Sequence, residues 1–425
     1  MPDECVILAD APDALVELCG ISTLERLLRT LQRCGITRAV ILSSTAAEIT
    51  EHLAQPSWAR SDLAVSIRER PAGPATIQQI VDCWPASTER VFLLRGDVVF
   101  DIRLLRALLA QSLPVALIDS AVPKQLAPLV ASATNASRGK LCGAALVQKE
   151  WTSSRNDSVE SALIKGLQQQ TLEALDVANQ PLYHPELRRN LRAFWFPTTV
   201  PVSKTVAENV LFDSVQKGTL DFPAWIHAPV EKLLLRYLCK TTITPNQLTI
   251  SSAVATCLAT ILFAMGQLVW GVVLALIIGI LDGLDGKQAR IKVETTASGK
   301  LEHRLDDFLD VAWPTALAFH FYTSGQLPSA FYYLVVLLIA EGIDGIGKLV
   351  IYSTSARLMT VPGRFDTMVR LVGGRRNIYV WILGIALILG SPAKALIVMA
   401  CWEAITAAID ISHAARLLFL RGKTR

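Results

Sequence analysis

The sequence predicts a two-part chain. An α/β domain with a mostly parallel sheet fills residues 1–200, a linker follows at 201–246, and an all-α domain of six transmembrane helices fills 247–425. Three observations carry this. Strand-like and helix-like segments alternate over the first part, which argues for a parallel sheet. Apolar runs of about the 20 residues a bilayer needs recur over the second. Between two of those runs, residues 281–310 (LDGLDGKQARIKVETTASGKLEHRLDDFLD) gather Asp282, Asp285, Glu302, Asp306, Asp307 and Asp310. Charges at a membrane border are costly, so such a cluster points to function.

In the first part, CVILAD reads as a short buried strand. STLERLLRTLQRCG has apolar residues at helical spacing, with Ser22 or Thr23 as cap and Gly35 as stop. TRAVILSS is a second strand and ERVFLLRGDVVF a third that ends in Gly96-Asp97. DIRLLRALLAQ is a helix and PVALIDS a strand. Residues 134–160 contain polar, turn-rich pieces (TNASRGK, SSRNDS) and read as surface loops, and NAS at 135–137 is a sequon by pattern only.

In the linker, AENVLFDSVQ is helical. DFPAWIHAPVEKLLLRYLCK combines Trp225, Leu233, Leu234, Leu235 and Tyr237 with Lys232, Arg236 and Lys240. It fits either an amphipathic helix at a membrane surface or an ordinary packed helix. TPNQLT then opens the first span, with Thr244 or Asn246 as cap. Spans are expected near 247–266, 268–286, 305–325, 329–352, 377–391 and 393–418. The connections at 266–268, 325–329 and 390–394 carry only Lys394. The other side carries Lys287, Arg290, Lys292, Lys300, Arg304, Arg357, Arg364, Arg370, Arg375, Arg376, Arg421, Lys423 and Arg425. By the positive-inside rule, a multi-pass protein with both termini and the aspartate cluster on the cytoplasmic side is expected.

Composition agrees. Apolar residues make up 52% and charged ones 18%, and mean hydropathy is +0.39. That excess is high for an ordinary soluble protein and falls mostly after residue 220. The net charge of +4 does not argue for nucleic acid, because the basic residues sit mostly in short loops between apolar runs. Eight cysteines without a CxxC pair read as scattered core thiols of a reducing compartment. The start, MPDECVILAD, is acidic and its apolar run is too short for a signal peptide. Insertion is therefore expected to use the internal segments.

The cluster itself suggests chemistry. Asp282 and Asp285 are three apart and share a helix face; Glu302, Asp306 and Asp310 repeat at four, as do His303 and Asp307. Converging carboxylates suit hard divalent cations, and two such ions can clamp a diphosphate. Gly283, Gly286 and Gly299 would let a bulky diphosphate approach the backbone, and Arg290 can fork onto phosphate. Glu341, Asp344, Lys348, Glu403 and Asp410 are further charges within apolar runs, read as paired inside the bundle. The arginines of 355–376 either set topology or hold a phosphate.

These residues carry a resemblance. The stretch resembles the CDP-alcohol phosphatidyltransferase signature D-x2-D-G-x2-A-R-x8-G-x3-D-x3-D, with Asp282, Asp285, Gly286, Ala289, Arg290, Gly299 and Asp307 in register. DGKQAR is similar to the choline/ethanolamine phosphotransferase branch, and TPN-x2-T is similar to that family's first span. His303 stands where the third aspartate is expected. Three readings stay open: His303 is a ligand, Glu302 and Asp306 replace the pair by a one-residue shift, or the site is impaired.

The resemblance implies a transferase that moves a phospho-alcohol from a CDP-alcohol to the hydroxyl of a lipid or polyol acceptor, releasing CMP. It implies Mg²⁺ (or Mn²⁺) held by Asp282, Asp285, Asp307 and Glu302. It gives Asp307 and His303 catalytic roles, places Gly286, Ala289, Arg290 and Gly299 around the nucleotide, and suggests a homodimer. A catalytically impaired membrane scaffold is the alternative. A transporter is disfavoured, since it has no need of the D-x2-D-G-x2-A-R spacing.

The first part resembles nucleotidyltransferases that activate sugars with CTP or GTP, through the opening strand, LVELCGISTLERLLRTLQRCGITRAVIL and LLRGDVVFDIRLLRALL. Asp97 would take the place of their metal-binding aspartate. Their Gly-rich basic loop is replaced by ADAPDALVEL, and no second aspartate is evident near FWFPTTVPVS. The chain resembles a cytidylyltransferase–phosphotransferase fusion whose first half has decayed.

Overall fold

The computed structural model describes residues 4–84, 89–148, 151, 157–199, 203–218, 221–294, 299–358, 368–369 and 371–423; of 299–310, 352, 354–358 and 420–423 it describes the backbone alone. The chain divides into two compact units. The first comprises 1–186, 190–216 and 290–295, and the second comprises 187–189, 217–289 and 296–425.

The first unit is α/β. Its strands are β1 (Glu4–Leu8), β2 (Arg38–Ser43), β3 (Ala64–Glu69), β4 (Arg90–Arg95), β5 (Val98–Phe100), β6 (Val115–Asp119), β7 (Gly139–Gln148), β8 (Glu173–Asp176) and β9 (Trp195–Pro197). The main sheet runs β8-β6-β7-β4-β1-β2-β3. Pairings β1–β2, β1–β4, β2–β3 and β6–β8 are parallel; β7 lies antiparallel between β4 and β6. This corrects one expectation. Residues 134–160 are not only surface loop, because LCGAALV within them forms the interior strand β7, whose Ala145 and Val147 are buried. The polar, turn-rich flanks hid a short apolar run. A second correction concerns ERVFLLRGDVVF, which is two strands. Gly96 breaks it where the backbone passes Ala9: a side chain there would meet the Ala9 Cβ at 2.5 Å.

The helices of this unit begin with α1 (Thr23–Arg33), α2 (Ala46–Leu53), α3 (Ile77–Asp82), α4 (Ile102–Leu109) and α5 (Val159–Gln168). Helix α1 is capped by the Ser22 side chain, which accepts from the Glu25 N–H. Gly35 ends it at φ +87°. Leu24, Leu27, Leu28 and Leu31 are buried, and so are Glu25, Arg26 and Arg29 on its polar side. Buried guanidiniums need partners. Arg26 donates to the Ile291 carbonyl (2.5 Å) and Arg29 to that of Lys292 (2.9 Å), both in the 290–295 segment of this unit. Burial disfavours ionised Glu25, yet bonds from Arg29 and Ser57 and the charges of Arg29 and Arg60 hold it below the usual carboxylate range. Burial pushes Glu294 upward despite Arg29 and Lys292.

The second unit is helical: α7 (Phe222–Leu238), α8 (Pro245–Ala264), α9 (Leu268–Ile291), α10 (Gly299–Thr323), α11 (Ala330–Leu358), α12 (Arg376–Ile388) and α13 (Ala393–Lys423), with α6 (Lys204–Ser214) belonging to the first unit. Thr244 caps α8 in a full capping box with Gln247. Helices run through all six expected span segments. Among the described residues, Pro245–Ala264, Leu268–Ile291 and Ala393–Phe419 are long and apolar enough to cross a membrane, by length and composition; Arg376–Ile388 is a shorter apolar helix. The three short connections turn on Gly266, Gly325 and Gly390, all at positive φ, where a side chain would be strained. The core joins Phe263, Trp313, Phe321, Leu337, Leu383 and Met399. Of the charges inside the apolar helices, Lys348 pairs with Asp344, and buried Glu403 accepts from the Tyr379 hydroxyl at 2.6 Å.

Helix α7 is amphipathic in its packing. It packs Pro223, His227, Glu231 and Leu235 inward, while Trp225 (66%), Leu233 (53%) and Tyr237 (69%) stay exposed.

Candidate active site

Helix α9 places Asp282, Asp285, Gly286 and Ala289 on one face, as a 3.6-residue period dictates. Helix α8 meets that face with its own i, i+3 pair. The Thr249 hydroxyl donates to Asp285 Oδ2 (2.8 Å), and the Ser252 hydroxyl donates to Asp282 Oδ1 (2.5 Å). Arg376, at the start of α12, pairs with the other oxygen of Asp282. Its guanidinium stands 5.5 Å over the Trp313 ring of α10, and the Trp313 N–H donates to the Thr256 carbonyl at 3.3 Å. Four helices thus converge on two carboxylates, with Asp285 9% exposed.

The placement of the expected residues is uneven. Asp282, Asp285, Gly286 and Ala289 lie together in the second unit. Arg290 is grouped with the first unit, where its Nε donates to the Val215 carbonyl at 3.0 Å. Gly299 begins α10, whose backbone continues as helix through 302–310. The side chains of Glu302, His303, Asp306, Asp307 and Asp310 lie outside the described residues. Among the described residues, no group of three or more His, Cys, Asp or Glu could hold a metal. The chemistry of the donor set nonetheless fits a hard cation: Asp282 and Asp285 offer carboxylate oxygens one turn apart.

Gly283 departs from its expected role. A side chain there would run into the Glu231 carboxyl of α7, so this glycine makes room for a helix, not for a diphosphate. Sequence reasoning missed Thr249 and Ser252 as partners of the aspartates. The signal was available in part, since Thr249 is the last residue of TPN-x2-T. Arg376 was one of several arginines in 355–376, and nothing local singles it out.

The first unit has a cleft of about 370 Å³ bordered by Asp10, Asp13, Arg70, Arg95, Asp97 and Glu160. It opens beyond the carboxyl ends of β1 and β4, where parallel sheets commonly bind ligands. Its charges are spent internally. Arg95 forks onto Asp97 at 2.9 and 2.6 Å. Asp10 takes Arg70, the Ser44 N–H (2.6 Å) and the Ser44 hydroxyl (2.8 Å). The chain after β9 brings Thr198, not a carboxylate, to Asp97: its N–H and hydroxyl both donate to the Asp97 carbonyl.

Apolar helices of the second unit thus present Asp282 and Asp285 on one face, within the D-x2-D-G-x2-A-R spacing of residues 282–290. Residues 242–409 match the CDP-alcohol phosphatidyltransferase family. A protein of Rubrobacter xylanophilus described as a "bifunctional IPC transferase and DIPP synthase" is 24% identical over 407 residues, which cover 91% of this chain and 88% of that protein. Two solved structures are similar to part of the chain. The inositol-1-phosphate CTP transferase from T. maritima is 13% identical, covering 48% of this chain and 94% of its own, with TM-score 0.35. HddC from Yersinia pseudotuberculosis is 14% identical, covering 49% and 99%, with TM-score 0.34.

Proposed function

We propose that the chain transfers a phospho-alcohol group from a CDP-alcohol to an acceptor hydroxyl and releases CMP, in the synthesis of a polyol phosphodiester. The observation that carries this is the pairing of Asp282 and Asp285 with Ser252, Thr249 and Arg376, within a domain matched to the family. A carboxylate pair with this much support, Asp285 buried and Asp282 half-buried, is built to hold a fixed position. Arg376 keeps Asp282 compensated while the site is empty of substrate, and it offers a planar donor for a phosphate oxygen. The name of the Rubrobacter relative, a transferase and synthase over nearly the same length, supports the polyol class of product.

In the reaction, the acceptor hydroxyl oxygen bonds to the phosphorus that bears the donor's alcohol. The phosphorus–oxygen bond to CMP breaks, and CMP leaves. The hydroxyl proton passes to a base, for which Asp307 is the proposed residue; Glu302 or His303 would supply the remaining ligand position. Asp282 and Asp285 would hold a divalent cation, Mg²⁺ or Mn²⁺, which when bound neutralises diphosphate charge. Positioning and charge neutralisation supply most of the rate in such transfers.

The six apolar segments are read as six spans, with the site and both termini cytoplasmic, where a soluble CDP-alcohol reaches it. A homodimer is included in this reading. The first unit is read as non-catalytic, supported by the Arg95–Asp97 and Arg70–Asp10 pairs and by Thr198 at Asp97.

The test is CMP formation by purified protein in detergent with Mg²⁺, offering CDP-diacylglycerol, CDP-choline, CDP-ethanolamine and CDP-inositol with mixed acceptors. Metal-dependent release that vanishes in Asp285→Asn is expected. Binding of CDP compounds with no release from any donor would replace the transferase with a membrane scaffold and make His303 the reason.

A further inference from the structure

Helix α7 lies outside the motif, yet three of its positions are fitted to the motif helix α9. His227 faces Gly279, where an added Cβ would come within 3.0 Å of its ring. One turn on, Glu231 occupies the space above Gly283. The same carboxylate accepts from Lys287 Nζ at 2.5 Å, and both side chains are 6% exposed. At the end of α7, Gln288 donates to the carbonyls of Leu238 and Ile243, each at 3.2 Å. The contacts climb both helices together, through Gly279, Gly283 and Lys287 at i, i+4 and i+8 of α9. Glycine removes the side chains that would hold the backbones apart, as in close helix packing in membranes.

This ridge borders the face of Asp282 and Asp285 and is rotated from it by about one residue, roughly 100° on a helix. The far end of α7 is fixed as well. The cap residue Asp221 accepts from Asn377 (3.3 Å), and the Phe222 ring meets Trp381. Asn377 follows Arg376, the partner of Asp282. Helix α7 thus braces both elements that hold the aspartate pair.

We infer that Glu231 is a positioning residue for phosphotransfer: through its buried ion pair with Lys287 over Gly283, it sets the height and rotation of the helix that carries Asp282 and Asp285. Nothing in the D-x2-D-G-x2-A-R pattern contains it, since it lies 56 residues before its partner. A hydrophobic or hydrogen-bonded contact could hold the helices together. A buried ion pair adds register, because a one-turn slip would leave two buried charges uncompensated. The inference rests on the transferase reading, but its test does not depend on it alone.

The test compares wild type, Glu231→Gln and the neutral pair Glu231→Gln with Lys287→Gln. Glu231→Gln leaves a buried ammonium without its counter-charge, and α9 must shift to rehydrate it. The neutral pair removes that stress. Expected in Glu231→Gln is a fall in kcat of about tenfold or more, with KM for the CDP-alcohol within about threefold. Backbone hydrogen exchange over 282–289 should quicken in the same variant. In the neutral pair both should return most of the way to wild type. Loss of kcat with unchanged exchange, or wild-type kcat in Glu231→Gln, would overturn the inference. So would a neutral pair as poor as the single variant. If wild type itself releases no CMP, the transferase reading falls, while exchange over 282–289 still decides whether Glu231 positions the helix.

Discussion

Thr249→Val tests the site most directly. The substitution keeps shape and branching and removes only the hydroxyl. That hydroxyl has one proton and two acceptors within reach, Asp285 Oδ2 at 2.8 Å and the Pro245 carbonyl at 3.2 Å. The carboxylate wins, because a bond to a charged oxygen is shorter and stronger. Asp285 is 9% exposed, so water does not freely replace the lost donor. A hydrogen bond to a charged group contributes about 1.5–3 kcal/mol. If all of it bears on the transition state, CMP release falls by about 10- to 150-fold. The backbone N–H of Gly286 still donates to Asp285 Oδ1, so the carboxylate keeps a donor and the loss remains short of that in Asp285→Asn. Thr249→Ser keeps the donor and should retain activity within a few fold. The assay is initial-rate CMP release in detergent, with helix content checked by circular dichroism. Equal rates for the Val and Ser variants would refute the reasoning and leave Thr249 as a helix-packing residue.

Three further outcomes are expected. Arg376→Lys should lose less CMP-releasing activity than Arg376→Ala but should not match wild type, because lysine keeps the charge beside Asp282 without the planar face over Trp313. Chelation by EDTA should abolish CMP release, and Mg²⁺ or Mn²⁺ should restore it; activity in excess EDTA would remove the cation from the mechanism. The first unit should weaken in acid: Glu25 is held below its ordinary 4.5, so its ionised form stabilises the fold above that pH. That contribution fades as pH falls through the depressed value. Thermal unfolding should show Glu25→Gln less stable than wild type at pH 7, with the gap closing below about pH 4.5.

Much of this could be read from local pattern. The caps at Ser22 and Thr244, the glycine turns and the D-x2-D spacing on one helix face all follow from neighbours within a few positions. The β7 strand could not, because its flanks look like loop and its membership in the sheet comes from pairing with β4 and β6. Gly283 was misread for a similar reason. A missing side chain is visible in a sequence, but what fills the space is not.

The same boundary runs through the function. The sequence by itself determined the two-part architecture, the apolar segments and the aspartates, since hydropathy and helical period are properties of contiguous residues. Only the tertiary structure decided what touches those aspartates. Thr249 and Ser252 come from 36 and 30 residues away and Arg376 from 94. Burying a carboxylate requires donors close in space, and packing chooses those donors without regard to distance along the chain.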